Sequence, residues 1–363
     1  MDPSRLLDRC AAIQSISSPT FAEGERAAAM LGYFQAAGLR DVEVDAIGNV
    51  YGRRGNGLTS PIVLAAHLDS VFPLDTDLHI IRNRERWAGP GIGDNALGLA
   101  ALVELASDLS DPEPPRPVWL VCTVGEEGLG NLRGMARVVD RYGALPAAYI
   151  AVEGMSLGHV YTRALPIRRY RIQVDTPGGH AWIHAGRPSA LHQLLRIGGC
   201  LLDTPLPSEP KTSLNIGALS GGTAVNALAG HAWMEVEIRS EGTRELVELA
   251  EGVEKLLQGP WPENTEVAAE LVGTRPGGQI ADDHPLVRAA CRSYEQACGR
   301  KARLTCGSTD ASLPLSLGYP AICVGVTTGS NAHTLMESIE LQPLACGYAS
   351  LLGLVREFCK ITS

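Results

Sequence analysis

VCTVGEEGLG, residues 121–130, begins as an apolar strand and ends in two adjacent carboxylates, Glu126 and Glu127, set among glycines. Apolar residues without polar alternation describe a strand covered on both faces, as in a parallel sheet flanked by helices. Neighbouring side chains of a strand point to opposite faces, so the two acids could not serve one place if the strand ran through them. Gly125, Gly128 and Gly130 let the chain leave strand geometry, and both carboxylates can then turn to the same side. Two acids so placed repel each other and call for a cation.

The same pattern recurs outward from this stretch. PIVLAAHLD (61–69), AAYIAVEG (147–154) and YPAICVGVTTGSNAH (319–333) carry near-continuous apolar runs bounded by turn residues, and helical stretches such as NALGLAALVELASDLS (95–110) lie between them. In TFAEGERAAAMLGYFQAAGLRD (20–41), Thr20 and Glu23 are spaced as a capping box and Gly38 stands near the end, which predicts a helix. Together these predict an α/β fold with a mostly parallel central sheet. From about residue 165 the pattern changes: RRYRIQVDT (168–176) and HAWMEVEIRS (231–240) alternate polar and apolar residues, with helices at SALHQLLRIGGCLL (189–202) and TRELVELAEGVEKLLQ (243–258). This order, strand-helix-strand-strand-helix-strand, predicts an inserted α+β domain with both helices on one face of an open sheet. The expected boundaries are 1–165 with 276–363 for the first domain and 166–275 for the insert.

Composition limits the function classes. A chain of 363 residues that is 45% hydrophobic can bury two cores. A net charge of −9 argues against nucleic acid or an anionic membrane surface as partner. No stretch approaches the roughly 18 apolar residues of a membrane span, and MDPSRLLDRCAAIQS at the N-terminus lacks the features of a signal peptide. A cytoplasmic protein is expected. The nine cysteines include no CxxC spacing and read as core residues in a reducing compartment, so the ligands of any metal are His and carboxylate.

The four apolar runs deliver His67 and Asp69, Glu126 and Glu127, Glu153, and His333 at or beyond their C-terminal ends. In open α/β sheets that is the edge where ligands bind, so these residues are expected to meet. Two histidines with several carboxylates suit zinc, while a mainly carboxylate cage would favour magnesium or calcium. Asp94, in AGPGIGDNALG (88–98), is delivered by a glycine-rich loop just before a helix, and its two oxygens could bridge two metals. That loop spells G-x-G-x-G, not the G-x-G-x-x-G of a dinucleotide cradle, and no GxxxxGK[ST] occurs, which sets nucleotide binding aside.

HLDS (67–70), GIGDNALG (91–98), GEEGLG (125–130), VEG (152–154) and AHTLMES (332–338) resemble, in order and along essentially the whole chain, the motifs of the M20 family of di-zinc peptidases and amidohydrolases. That family includes glutamate carboxypeptidases, peptidase T, aminoacylases, acetylornithine deacetylase and succinyl-diaminopimelate desuccinylase. The resemblance implies two zinc ions per chain, with cobalt or manganese as substitutes. His67 and Glu153 would hold one, Glu127 and His333 the other, and Asp94 would bridge them. Glu126 would be the general base for hydrolysis of an amide in a short peptide or N-acyl amino acid, and Asp69 would orient His67. TPGGHAW (176–182), GRPSALHQL (186–194), LNIGALSGGTAVNALAG (214–230) and EVEIRS (235–240) are similar to the family's lid domain, which in many members also forms a homodimer. By that likeness His180 would stabilise the oxyanion, in its own or the partner's site, with His184 and His192 as neighbouring alternatives. Asn226 and Arg239 would bind substrate, the arginine by gripping a carboxylate. GSTDASLP (307–314) would place Ser308, Thr309 and Asp310 near the site. Two other readings remain: a member that kept the fold and lost catalysis to become a binding protein, and an aminopeptidase instead of a carboxypeptidase or deacylase. Glu153 at the third-carboxylate position leans to the carboxylate-recognising members, whereas TPGGHAW and GRPSALHQL lean to those like peptidase T.

Overall fold

The computed structural model describes residues 3–57 and 60–360. Along the chain the elements are α1 (Pro3–Gln14), α2 (Gly24–Ala36), β1 (Arg40–Val44), β2 (Val50–Arg54), β3 (Ile62–His67), β4 (Ile81–Arg82), β5 (Arg86–Ala88), α3 (Gly98–Asp108), β6 (Val118–Thr123), α4 (Arg133–Tyr142), β7 (Ala148–Glu153) and β8 (His159–Ala164). Then follow β9 (Ile167–Asp175), β10 (Gly179–His180), α5 (Ala190–Leu202), β11 (Thr212–Gly221), β12 (Ala227–Leu228), β13 (His231–Ser240), α6 (Thr243–Leu257) and β14 (Glu266–Arg275). The last are β15 (Gly278–Gln279), α7 (Pro285–Cys298), β16 (Arg303–Gly307), α8 (Ser312–Ser316), β17 (Ala321–Gly325), β18 (Gly329–Ser330), β19 (Ser338–Glu340) and α9 (Leu344–Phe358).

Leu165–Gly277 forms one compact unit, and the chain up to Ala164 and from Gly278 onward forms the other. The larger unit is built on a nine-stranded sheet in the order β1-β2-β6-β3-β7-β17-β8-β15, with β16 beside β8. Its centre, β6-β3-β7-β17, is parallel throughout, and antiparallel pairs occur only toward the edges. Every residue of β3 and β17 is buried, which is why their apolar runs do not alternate. Leu99, Leu102 and Leu105 of α3 and Tyr348, Leu351 and Leu354 of α9 belong to the same core. The α/β class with a mainly parallel central sheet is the one the patterning predicts.

The capping box does not form. Helix α2 starts at Gly24, Thr20 donates its hydroxyl proton to Asp69 Oδ2 (2.8 Å), and the Glu23 carboxylate accepts from the backbone N–H groups of Phe21 (3.1 Å) and Gly125 (3.0 Å). Both side chains have partners brought from distant parts of the sequence, and these win over the local cap.

The smaller unit carries an antiparallel sheet, β11-β13-β9-β14. Strand β13 is buried at every second residue, and its buried set, Ala232, Met234, Val236 and Ile238, shares a core with Leu194, Ile197 and Leu201 of α5 and Leu246, Leu249 and Val253 of α6. Period-two burial with helices on one face is what alternating strands require. Among the described residues no helix is long and apolar enough to cross a membrane.

Candidate metal centre

Within the larger unit, β3 ends on His67 and β7 on Glu153. Strand β6 ends at Thr123, and the chain turns at Gly125 (φ +62°), so that Glu126 and Glu127 leave the strand direction. A Cβ at position 125 would lie 2.7 Å from the Arg133 side chain, a second reason for glycine there. Asp94 sits in an irregular turn, Ile92–Leu97, that leads into α3, with its backbone at φ −112°, ψ 84°. Beyond β17 the chain reaches His333, in the left-handed region at φ +64°.

These side chains converge. His67 Nε2 lies 3.0 Å from Asp94 Oδ1 and 3.7 Å from Glu153 Oε2. His333 Nε2 lies 3.1 Å from Asp94 Oδ2 and 3.2 Å from Glu127 Oε1. The two oxygens of Asp94 thus face two different histidines, each with a further carboxylate on its other side. His67, Asp94 and Glu127 each offer a ligand atom within 4.8 Å of the others.

The electrostatics follow from this crowding. Burial, with repulsion from Asp94, pushes the Glu127 carboxyl up to about 7; burial also pushes Glu153 up to about 8, against the attraction of His67. Burial alone would raise Asp94 too, but hydrogen bonds to His333 and His67 hold it well below the usual carboxylate range. Hydrogen bonds to Asp94 and Glu127 raise His333 to about 11. Burial would lower His67, and its contacts with Asp69, Asp94 and Glu153 outweigh that and raise it. Crowded acids that cannot all shed their protons, set opposite two imidazoles, are a donor set that a divalent cation would relieve, because metal binding displaces protons from its ligands. The residues fit a metal.

Around them stands a set of carboxylates that hold backbone. Asp69 accepts from the N–H groups of Glu126 (3.0 Å) and Glu127 (2.9 Å). The closer partner of His67 Nδ1 is the Asp69 carbonyl oxygen at 3.0 Å, with Asp69 Oδ1 at 3.5 Å. Asp69 therefore touches His67 and also sets the turn that carries the paired acids. Glu23 accepts from the N–H of Gly125 and pairs with Arg133 (3.1 Å). Glu337, fully buried, accepts from the N–H groups of Gly93 and Asp94 at 2.8 Å each and of His333 at 3.4 Å. Sequence reasoning missed Glu23 and Glu337 as site residues; Glu337 stands inside AHTLMES, and its only local signal is an acid four positions after a histidine. Glu126 is buried. Asp310, also buried, accepts from the Thr123 hydroxyl, and burial together with the Glu126 charge raises its carboxyl to about 7.

Ser308 and Thr309 precede Asp310 in the larger unit, whereas His180, His184, His192, Asn226 and Arg239 belong to the smaller one. His180, exposed on β10, pairs with Ala227 of β12, and the N–H of Ala181 donates to the Asn226 carbonyl (2.9 Å), so His180 and Asn226 lie on adjoining segments. His180 Nδ1 accepts from the N–H of Trp182 (3.2 Å), and the His180 N–H donates to His184 Nδ1 (3.0 Å). Arg239 lies on β13 and is not among them in local pairing: its Nε donates to Glu237 (2.7 Å), which also accepts from Arg169 Nε (2.7 Å).

Residues 63–357 match the family model of peptidase family M20/M25/M40. A succinyl-diaminopimelate desuccinylase from Corynebacterium glutamicum is 27% identical over 358 residues, which cover 94% of this chain and 93% of that one. An acetylornithine deacetylase from Vibrio vulnificus is 23% identical with 95% of both chains covered. Among solved structures, a tripeptidase from Staphylococcus aureus aligns with a TM-score of 0.75 at 22% identity, covering 99% of this chain and 100% of its own. The dipeptidase Dug1p from Saccharomyces cerevisiae aligns at 0.81 and 13% identity, covering 99% and 97%. At such identities the structural likeness speaks for the fold.

Proposed function

This chain belongs to peptidase family M20/M25/M40, a family of hydrolases, and from that premise we propose that it cleaves an amide bond in a short peptide or N-acyl amino acid with two zinc ions. The observation that carries the reading is the meeting of His67, Asp94, Glu127, Glu153 and His333, with Asp94 facing both histidines. His67 and Glu153 would hold one ion and Glu127 and His333 the other, with Asp94 as the carboxylate shared between them. The bound ions supply a Lewis acid for the carbonyl and lower the pKa of water toward neutrality. Glu126 takes the proton from the attacking water and delivers it to the leaving nitrogen, the work of a positioned general base that turns into an acid. Asp69 keeps Glu126 and Glu127 in register by accepting both of their N–H groups. His180, Asn226 and Arg239 are assigned to substrate, and the smaller unit to dimerisation.

The surroundings of the site favour substrates with apolar groups beside the scissile amide. Phe21, Val71, Leu129, Leu335 and Met336 are exposed by 60, 40, 40, 62 and 54%. Each lies on a turn that carries Asp69, Glu127 or His333 or bonds to them. Exposed apolar residues on the segments that carry site residues suit a surface that receives apolar groups.

The test is metal content of purified protein, paired with hydrolysis of a panel of dipeptides, their C-terminal amides and N-acyl amino acids, each with apolar and charged side chains, with and without chelator. About two zinc per chain with chelator-sensitive cleavage of apolar substrates is expected. Cleavage restricted to free carboxylates would place the protein with the carboxypeptidases and deacylases; cleavage that needs only a free amino group would place it with aminopeptidases. Metal bound without hydrolysis of any member would favour a binding protein over an enzyme.

A further inference from the structure

The turn that carries Asp94 and the turn that carries His333 are 239 residues apart in sequence, yet their side chains must stand at one spacing if they share a metal. Neither backbone is one that a helix or strand would impose. Asp94 lies at φ −112°, ψ 84°, and His333 at φ +64°, a left-handed conformation that non-glycine residues adopt only where surroundings enforce it. One side chain touches both turns. Glu337 Oε1 accepts from the N–H groups of Gly93 and Asp94, both at 2.8 Å, and its other oxygen, Oε2, accepts from the N–H of His333 at 3.4 Å.

Glu337 is itself well anchored. Its own N–H donates to the Thr334 carbonyl (3.0 Å) and its carbonyl accepts from Gly89 (2.8 Å), immediately before β19, which pairs with β5. The carboxylate is buried, so its bonds to the two turns do not compete with bulk water.

We propose that Glu337 is the positioning residue that sets the distance between the two metal-holding turns, each oxygen serving one of them, Oε1 fixing Asp94 and Oε2 fixing His333. This rests on the reading that Asp94 and His333 hold metal. The division has a consequence that a general loss of packing lacks. In Glu337→Gln the single amide oxygen is best spent on the side with two donors, Gly93 and Asp94, and the amide NH2 then faces the N–H of His333, donor against donor. The ion held by Glu127 and His333 should therefore weaken, while the ion held by His67 and Glu153 stays.

The experiment is chelator competition on the purified full chain, reading the two zinc affinities separately, with activity measured as a function of added zinc. In Glu337→Gln one of the two sites should lose about 10–100-fold in affinity, as partners of metal ligands typically cost. The other site should change little, and excess zinc should restore kcat. Glu337→Asp, which keeps the charge but withdraws both oxygens by one methylene, should weaken both sites, and it carries the test if the glutamine variant does not fold. A folded Glu337→Gln with both affinities and kcat unchanged overturns the proposal while leaving the metal centre standing. Equal loss at both sites in that variant, with no rescue by zinc, overturns the division of roles. A wild-type chain that binds no zinc removes the metal reading, and the proposal with it.

Discussion

Glu126 and Glu127 are adjacent, both buried, and differently placed. Glu127 faces His333 at 3.2 Å, whereas the charge of Glu126 is felt by Asp310 as well as by Glu127 and Glu153. If Glu126 moves protons and does not hold metal, Glu126→Gln should lower kcat by about 10²–10⁴-fold, the usual weight of general acid–base catalysis. Its zinc content should stay that of the wild type; loss of zinc in this variant would reassign Glu126 as a ligand. The ligands themselves predict a pH dependence for the metal-free protein. Folding raises Glu127 to about 7 and Glu153 to about 8 from an ordinary 4.5, and His333 to about 11 from 6.5. Each binds its proton more tightly folded than unfolded, so their contribution is full below the unfolded values and is lost as pH rises through the folded ones. Asp94, held low, works the other way, but only as pH falls below its ordinary 3.8. In chelator, the unfolding midpoint should fall between about pH 5 and about pH 8. With zinc the trend should weaken or reverse, since protons and metal compete for the same atoms. A midpoint in chelator that rises over this range would contradict the arrangement.

At the scale of elements, the site is made by the ends of β3 and β7 and by the turns that carry Asp94, Glu126, Glu127 and His333. Helix α9 follows the His333 turn and packs on the sheet through Gly347, where an added Cβ would come 1.8 Å from the Val326 carbonyl oxygen and 2.8 Å from its carbon. Backbone cannot give way as a flexible side chain can, so Gly347→Ala should destabilise by about 1–3 kcal/mol or more, the usual cost of overpacking. Gly353, further along the same helix, has only Ser293 at 3.6 Å, an ordinary contact, and Gly353→Ala should be neutral or stabilising by up to about 1 kcal/mol through helix propensity. Thermal unfolding of the pair separates the two effects on one element. Equal behaviour would mean that α9 does not come so close to the chain just beyond β17.

The whole molecule is two cores in one chain. The cluster around the nine-stranded sheet and the cluster around β9, β11, β13 and β14 have no residue in common, and the five residues assigned to metal all belong to the unit built on the first. A ligand stabilises only what it binds in the folded state, by RT ln(1 + [L]/Kd), about 4 kcal/mol at a thousandfold excess over Kd. Scanning calorimetry with and without chelator should therefore resolve a metal-sensitive transition from a second transition that chelator leaves in place. A single transition that moves as one would show that the two cores unfold together.

The local chemistry of the sequence determined the fold class. Apolar runs without alternation can be satisfied only between two covering layers, and alternating runs only with one face covered, so β3, β6, β7 and β17 and, in the inserted unit, β9 and β13 were legible from period alone. The strand ends were legible for the same reason, which is how His67, Glu126, Glu127, Glu153 and His333 stood out: chemistry that interrupts an apolar pattern is visible in the pattern. Only the tertiary structure decided that Thr20 turns to Asp69 and does not cap α2, that Glu23 holds Gly125, and that Glu337 joins the turns of Asp94 and His333. Those contacts run between side chains and backbone N–H groups that every residue but proline carries, or hydroxyls with many possible acceptors, so no residue type marks the partner. Periodicity is written along the chain, whereas the acceptor of a given N–H is settled only when distant segments have packed.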